Sequence, residues 1–342
     1  MALADAWYRR AAWLHLLRPL AALFSWLAQR RRRRLSKQQK PSPVPVVVVG
    51  NITVGGTGKT PVVVALANLF EKQGWRTGVI SRGYGGQARQ YPLEVTDSTD
   101  VRQSGDEAQL MRRHLTGPLV VDPDRPRALA SLLAHHQCDV VISDDGLQHY
   151  RLPRHVEVAM VDARRGLGNG LCLPAGPLRE PPSRLREVDV VLINGDRVPE
   201  LPDGIPEPVC ITLKPVAWIN VRTGQRVNLA SFRMVLDVAD DSTAVPAFAI
   251  AGIGNPQRFF DQLQTMGFAV TSRAFSDHHA YAPADLAYAH NELLLMTEKD
   301  AVKCQHFAGE NWWYLRVRAE LPPALEQDMI ARIGDLLWTK NC

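Results

Sequence analysis

The stretch VVVVGNITVGGTGKTP, residues 46–61, decides the fold class of this 342-residue chain. Its first part is a run of β-branched apolar residues, which is typical of a buried parallel strand. Its second part is rich in glycine and ends in Gly58-Lys59-Thr60, where the pattern of a helix begins. A strand, a glycine-rich turn and a helix in this order are typical of a loop that holds phosphate with backbone N–H groups and a helix N-terminus.

The loop differs from the common phosphate-loop pattern G-x-x-x-x-G-K-[ST] at its first position, where Thr53 stands. Glycines later in the loop still provide a permissive backbone, and Pro61 falls in the first helical turn, where a missing N–H is tolerated. A purely structural glycine turn is the alternative interpretation. We predict that a nucleotide phosphate is bound by the following residues: Thr53, Val54, Gly55, Gly56, Thr57, Gly58, Lys59 and Thr60.

Strand and helix patterns alternate from this loop to about residue 207. Short apolar strands that alternate with helices predict a parallel sheet with helices on both faces, joined by right-handed crossovers. The class is therefore α/β, with a first domain of the P-loop NTPase type. Further strand patterns lie at 75–86, 117–122, 138–145, 156–163 and 188–195, and helical patterns lie at 59–74, 105–115 and 124–137.

The pattern changes after about residue 208. Apolar and polar residues alternate there around Thr-Gly-Gln, which predicts a β-hairpin. A second strand, glycine turn and helix follow, as in a smaller α/β unit, and an amphipathic helix ends the chain. We predict a cleft between two domains, a favoured place for substrates. The predicted parts are an N-terminal membrane-associated helix with a basic linker (1–40), a nucleotide-binding domain (41–207), a β-hairpin linker (208–235) and a C-terminal α/β domain (236–342).

Two adjacent acids, Asp144 and Asp145, follow the strand pattern of residues 138–143. Ligands of open parallel sheets bind at the carboxyl ends of the strands. Neighbouring aspartates repel each other there unless a cation neutralises them, although an exposed Asp-Asp-Gly turn is the alternative. We predict that Thr60 and Asp144 bind Mg²⁺, and that Asp145 either shares the metal or orients its water.

The positive charge of the chain is concentrated at its N-terminal end. The first 40 residues hold eight Arg and two Lys against one acid, whereas the other 302 residues carry a net charge of −4. Such asymmetry indicates a local anionic partner, either nucleic acid or membrane. The five cysteines have no metal-ligand spacing, which argues against a zinc site or a disulfide framework.

The composition of the N-terminal segment favours a membrane over nucleic acid. Tryptophans are spread through the apolar residues 11–28, and five arginines, residues 30–34, follow. His15, Arg18 and Pro19 interrupt the apolar stretch, which is too short and broken for a typical membrane span. A helix that lies in the interface of an anionic bilayer fits better, with a short span or a helix packed on the protein as alternatives.

Eight motifs follow one another along nearly the whole chain: GNITVGGTGKTP, ISRGYGG, GDEAQLM, SDDGLQHYRL, LPAGPLREP, AGIGNPQRFF, FSDHHAYAP and TEKDAVK. Taken together, these motifs resemble those of the tetraacyldisaccharide 4′-kinases of lipid A synthesis. The resemblance includes the threonine at the first loop position. One departure is Ala108, where the family pattern has proline.

The resemblance implies transfer of the γ-phosphoryl group of ATP, with Mg²⁺, to the 4′-hydroxyl of an acylated glucosamine disaccharide 1-phosphate. The reaction is expected at the cytoplasmic face of the bacterial inner membrane, with no nucleic acid and no obligatory protein partner. By resemblance Asp106 is the catalytic base, which accepts the hydroxyl proton. His278 either orients the Asp106 carboxylate or shares its proton, and we prefer it to His279 because it directly follows Asp277.

Further candidates are less specific. Arg82 ends a strand pattern and is expected either to hold a phosphate or to form a surface ion pair. Gln148 and His149 follow the aspartate pair and could contact the nucleotide or order the acids. Glu180 could support the magnesium site or be a solvated loop acid. Lys299 and Asp300, in the motif TEKD, are expected to form a structural ion pair.

Two other functions compete with the kinase. Membrane-associated switch ATPases of the partitioning type share a loop similar to VGGTGKT, but they carry a lysine where this chain has Val54. They also have no need for SDHHAY in a second domain. A membrane-bound interaction protein with a vestigial nucleotide site is the third possibility, and the intact Lys59, Thr60 and Asp144 argue against it.

Overall fold

The computed structural model of the chain describes residues 3–9, 11–236 and 244–341. Within them lie thirteen strands and ten α-helices. The strands are β1 Val46–Gly50, β2 Thr77–Ser81, β3 Leu93–Glu94, β4 Leu119–Val121, β5 Val140–Ser143, β6 Val156–Asp162, β7 Val190–Asn194, β8 Val209–Asn220, β9 Arg226–Val227, β10 Val245–Ala251, β11 Phe268–Ala274, β12 Leu294–Thr297 and β13 Trp312–Glu320. The helices are α1 Leu3–Tyr8, α2 Arg18–Ser36, α3 Lys59–Lys72, α4 Val101–Ser104, α5 Asp106–Arg112, α6 Arg125–His135, α7 Phe232–Val235, α8 Pro256–Thr265, α9 Glu298–Cys304 and α10 Pro323–Asn341.

The first half of the chain forms the predicted parallel sheet. Its strands run in the order β7-β6-β1-β5-β2-β4, all parallel, and the short β3 pairs antiparallel with β4 at the edge. The strand β1 is central and buried along its whole length. The phosphate loop therefore leaves the middle of the sheet at its carboxyl edge, between the strands that end in Ser143 and Asp162.

The strand β8 joins this sheet to the second half of the molecule. Its start, from Val209 to Ile211, pairs parallel with β7, and its remainder, from Thr212 to Asn220, pairs antiparallel with β13. β8 also forms a hairpin with β9, as the sequence predicts. The second half adds the order β13-β12-β10-β11, so one continuous sheet runs through both halves. The alternation pattern does not predict this continuity.

Each half has an apolar core on both faces of the sheet. In the first half α3 covers one face and α6 the other, through residues such as Phe70 and Leu132. In the second half α8 covers one face and α9 the other. The last helix, α10, returns to the first half, where Met329 and Ile333 lie in the same core cluster as α3. The predicted domain boundaries stay predictions, and the one at 235/236 adjoins residues 237–243, which lie outside the described residues.

The N-terminal segment docks on the first half by one face. Leu14 and Ala21 are buried, Phe24 packs on the core beneath α6, and the Trp7 indole donates a hydrogen bond to the carbonyl of Pro174 (3.1 Å). Arg32 pairs with Glu187 and lies over the ring of Tyr150. Among the described residues, no helix combines the length and apolar character that crossing a bilayer requires.

Candidate functional site

The phosphate loop is held by contacts at both of its ends. At its start, the Val54 N–H donates to the carbonyl of Pro177 (2.8 Å). At its end, Gly58 adopts a φ of +86° directly before α3, and a Cβ at this position would lie 2.5 Å from the Asn194 amide nitrogen. Asn194 in turn donates to the carbonyl of Thr57 (3.0 Å). Only glycine fits here, because both the backbone conformation and the close approach exclude a side chain.

Lys59 points toward the acidic pair at the end of β5. Its ammonium lies 3.4 Å from Oδ1 of Asp145 and donates to Oδ1 of Asn51 (3.4 Å). Arg179 contacts the other carboxylate oxygen of Asp145 at 3.3 Å. Although burial acts in the opposite direction, the charges of Lys59 and Arg179 lower the pKa of Asp145. Asp145 is therefore ionised, and it adopts a positive φ of 46°, a constrained conformation common at functional sites.

The pKa of its neighbour, Asp144, is shifted in the opposite direction. Its side chain is fully buried, Ser81 donates to its Oδ2 (3.2 Å), and its Oδ1 has no hydrogen-bond partner among the described residues. Burial, together with the charges of Glu107 and Asp145, raises the pKa of the Asp144 carboxyl to about 7. Two adjacent carboxyl groups with separated pKa values are a common feature of sites that bind a cation or transfer a proton.

The Asp144 carboxylate fits a magnesium ion. Its Oδ1 is buried without a hydrogen-bond partner in the part of the chain that the structure describes. In that part, no group of three or more His, Cys, Asp and Glu side chains is placed to hold a metal by itself. Mg²⁺ commonly takes one or two carboxylates and completes its coordination with substrate phosphates and water, so this donor set suits it.

Asp106 and His278 come together from different halves of the molecule. Asp106 is the first residue of α5 and is largely buried, whereas His278 lies on the loop after β11. Nδ1 of His278 lies 3.1 Å from each carboxylate oxygen of Asp106. His278 adopts a φ of +60°, and its ring packs on Tyr84 with a centroid distance of 4.5 Å. His279 instead contacts Asp285 (3.2 Å), so the two histidines are distinguished by geometry.

Two lysines of α9 surround the Asp106 carboxylate. Lys299 Nζ lies 4.0 Å and Lys303 Nζ 3.9 Å from its Oδ2. Burial would raise the pKa of Asp106, but the hydrogen bond of His278 and the charges of both lysines hold it below its ordinary value. Asp106 is therefore an ionised carboxylate at neutral pH, as an acceptor of protons must be.

Lys299 and Asp300 each form ion pairs, but with other residues and not with each other. Lys299 contacts Asp277 (3.0 Å) and Glu107 (3.2 Å), and Asp300 pairs with Lys303 (3.2 Å). Asp300 is fully buried and also accepts hydrogen bonds from the backbone N–H of residue 252 and from a tyrosine and a threonine hydroxyl. The reason is geometric: adjacent residues at the start of a helix point in different directions, one toward α5 and one into the core.

The remaining candidates from the sequence are Gln148, Glu180, His149 and Arg82, and they lie beside Asp144 and Asp145. Gln148 donates to Oε2 of Glu180 (2.8 Å) and to the carbonyl of Asn51 (3.1 Å), which ties it to the loop. Glu180 is buried, its pKa is raised by that burial, and it also accepts from the Tyr150 hydroxyl. Burial, with the charge of Arg125, lowers the pKa of His149 to about 3. Arg82 is exposed and lies 5.9 Å from the ring of Tyr84.

The second half of the molecule lies directly over the phosphate loop. A Cβ at Gly254 would lie 2.5 Å from the backbone nitrogen of Gly56, and Arg165 donates to the carbonyl of Gly254. A cavity of about 620 Å³ lies between the halves, and Lys59, Thr60 and Lys299 are among the residues that line it. A nucleotide in this cavity would contact both halves.

Comparison with known proteins agrees with this architecture. A family model described as tetraacyldisaccharide-1-P 4′-kinase matches residues 13–334. The chain belongs to this family. A tetraacyldisaccharide 4′-kinase of Alcanivorax borkumensis is 47% identical over 337 residues, 96% of each chain. One of Pseudomonas aeruginosa is 48% identical over 338 residues, 98% of each chain.

A solved structure extends the comparison to three dimensions. LpxK from Aquifex aeolicus, crystallised in complex with ATP, superimposes with a TM-score of 0.74 at 27% identity, covering 94% of this chain and 99% of that one. The predicted kinase class is thereby confirmed, and these comparisons do not favour the switch ATPase. The chain is a phosphotransferase of lipid A biosynthesis.

Reasoning from the sequence of this kinase did not place two lysines beside Asp106, because it gave Lys299 only a structural role and did not consider Lys303. A signal existed, because Lys299 and Lys303 are four residues apart in TEKDAVK and therefore share one face of α9. The sequence did not show which face would meet α5. Arg179 was also missed, although it directly precedes the candidate Glu180.

Proposed function

We propose that this kinase transfers the γ-phosphoryl group of ATP to the 4′-hydroxyl of a tetraacylated glucosamine disaccharide 1-phosphate, at the cytoplasmic face of the bacterial inner membrane. The observation that carries the residue assignment is the Asp106–His278 pair. Asp106, an ionised and buried carboxylate, and His278, an imidazole of the other half that orients it, line a cavity of about 820 Å³. Their chain neighbours Glu107 and Asp277 line the cavity that the phosphate loop also lines. That is the arrangement that activation of an alcohol requires.

ATP would bind with its phosphates on the loop from Thr53 to Thr60. The backbone N–H groups of such a loop and the N-terminus of α3 favour an anion, and Lys59 supplies a positive charge. Thr60 and Asp144 would hold Mg²⁺, with Asp145 close by. When bound, Mg²⁺ neutralises charge on the phosphates.

The reaction would proceed with Asp106 as the proton acceptor. The 4′-oxygen forms a bond to the γ-phosphorus, and its proton passes to an Oδ of Asp106. The bond between the γ-phosphorus and the β,γ-bridging oxygen breaks, and ADP leaves with that electron pair. Neighbouring positive charges favour the ionised form of Asp106 before the reaction, and the γ-phosphoryl transfer supplies the driving force.

The enzyme would bind its lipid substrate at the membrane surface. Six apolar side chains of the N-terminal segment are at least half exposed, although the opposite face of the segment is docked on the protein. The spacing of these six side chains places most of them on one side of the segment, and a run of arginines follows in the sequence. An exposed apolar stripe next to basic residues fits an interfacial helix on anionic lipid. The six are Trp13, Leu16, Leu20, Leu23, Trp26 and Leu27.

The experiment that tests the proposal follows the label of γ-labelled ATP with the acylated disaccharide 1-phosphate and detergent present or absent. We expect label on the lipid, little release to water without lipid, and no transfer by Lys59→Ala. Release of free phosphate regardless of lipid would contradict the proposal and support a switch ATPase.

A further inference from the structure

Lys299 makes three short contacts with its three N–H donors. They go to Oδ1 of Asp277 (3.0 Å), Oε1 of Glu107 (3.2 Å) and Nε2 of His278 (3.3 Å). The side chain is largely buried, and its donors are directed to acceptors on α5 and on the loop that carries His278. All three N–H donors of Lys299 are thus used, and one of them is directed to the imidazole.

The chemistry of the two groups determines which atom donates and which accepts in the Lys299–His278 contact. An ammonium group has donors and no acceptor, so Nε2 of His278 must accept. Burial would lower the pKa of Lys299, but the charges of Glu107, Asp106 and Asp277 raise it, so the group remains an ammonium. An imidazole whose Nε2 accepts carries its proton on Nδ1, the atom that faces both oxygens of Asp106.

We infer that Lys299 holds His278 in the tautomer with the proton on Nδ1, so that His278 orients the Asp106 carboxylate and does not take its proton. This assigns Lys299 as a positioning residue and distinguishes between the two roles that the sequence leaves open for His278. The inference rests on the proposed role of Asp106 as the base.

The surroundings of His278 explain why a cation is needed. Asp106 lies on one side of the ring, and Oδ1 of Asp277 lies 3.7 Å from Nε2 on the other. Without Lys299, Nε2 would lack its donor and would face the carboxylate of Asp277, an arrangement that favours a proton on Nε2. The ring would then be a cation, and its Nδ1–H would be a stronger proton donor to Asp106 than that of the neutral ring.

The test uses the full-length protein in detergent with ¹⁵N-labelled histidine. The chain has ten histidines, so His278 is assigned by loss of its signals in His278→Asn. Long-range ¹H–¹⁵N spectra distinguish the protonated ring nitrogen from the other. We expect only Nδ1 to be protonated at neutral pH in the wild type and in Lys299→Arg, which also presents only donors. In Lys299→Met we expect Nε2 to gain a proton.

Lys303→Met is the matched control, because Lys303 is equally close to Asp106 but its other ion pair is with Asp300 and not with the loop of His278. It should keep the wild-type tautomer. Turnover on the lipid should fall between about tenfold and a hundredfold in Lys299→Met and recover in Lys299→Arg.

A proton on Nε2 in the wild type would overturn the inference, whether or not the variants fold. So would an unchanged tautomer in Lys299→Met, or the same change in Lys303→Met. The proposed role of Asp106 as the base fails separately, if Asp106→Asn keeps normal transfer while the tautomer result stands.

Discussion

At the residue scale, the two acids after β5, Asp144 and Asp145, differ in how the protein balances their charge. Asp145 has two cations at 3.3–3.4 Å, whereas Asp144 has one hydroxyl donor and forms no ion pair with the described residues. The charge of one carboxylate is thus balanced by cations of the described chain, and that of the other is not. A carboxylate that binds a cation is expected to destabilise the folded protein when the cation is absent.

This difference predicts a pH-dependent stability effect for Asp144→Asn. Burial raises the pKa of Asp144 from an ordinary carboxyl value to about 7. Its contribution to stability is therefore present at low pH and lost as the pH rises toward 7, where the buried group ionises. In chelator without nucleotide, we expect the variant to melt a few degrees higher than the wild type at pH 8 and to show a smaller gain at pH 5. A gain that does not grow with pH would contradict this account.

At the scale of elements, two loops bring the halves of the molecule into close contact over the site. Gly254 follows β10 and touches the backbone of Gly56 in the phosphate loop, although the two are far apart in sequence. Such close approach of two backbones requires glycine, because a Cβ would meet a backbone atom that cannot rotate away. The loop after β10 therefore acts as a cover over the phosphate loop.

Gly254→Ala is predicted to push the halves apart. The added Cβ would lie 2.5 Å from the Gly56 nitrogen, so the loops must separate and His278 would move relative to Asp106. We expect turnover to fall at least about tenfold while the protein remains folded. Steady-state kinetics and a thermal melt measure the two effects.

The matched control is Gly334→Ala in α10, where a Cβ would meet nothing within 4 Å. Alanine is the better helix former, so this variant should keep its activity and be slightly more stable. Normal turnover in Gly254→Ala would show that the contact has no part in catalysis.

The sequence predicts the elements of this fold well and their docking poorly. The loop after β1 and the acids after β5 are predictable because parallel strands bring their carboxyl ends to one edge of the sheet. The contacts of Lys299 with Glu107 and of Gly254 with Gly56 join residues nearly 200 positions apart. No local pattern encodes how α9 packs on α5, or that β8 pairs with strands of both halves.

At the scale of the whole molecule, the N-terminal segment is docked on the half that carries the phosphate loop. The segment is fastened to the first half by Trp7, Phe24 and Arg32, and its free face is apolar. A lipid surface bound to that face would be held at a constant orientation to the cavity. The enzyme would thus meet an acylated sugar at the bilayer and ATP in water.

We therefore predict that the triple variant Leu16→Gln, Leu20→Gln and Leu23→Gln binds anionic vesicles more weakly. If each leucine contributes about 1 kcal/mol on entering the interface, vesicle affinity falls by about a hundredfold. The control replaces Met234 and Val235, two exposed apolar residues of the second half, by Gln. Flotation with vesicles measures both, and equal losses, or none in the triple variant, would count against an interfacial helix.

The central claim is that Asp106 accepts the proton of the lipid hydroxyl. Rapid-quench measurement of one turnover, with γ-labelled ATP and enzyme in excess over lipid, tests it most directly. We predict that Asp106→Asn slows label transfer at least about a hundredfold and leaves ATP affinity within about twofold of the wild type. Transfer at the wild-type rate would contradict the account, as would a loss explained entirely by weaker ATP binding.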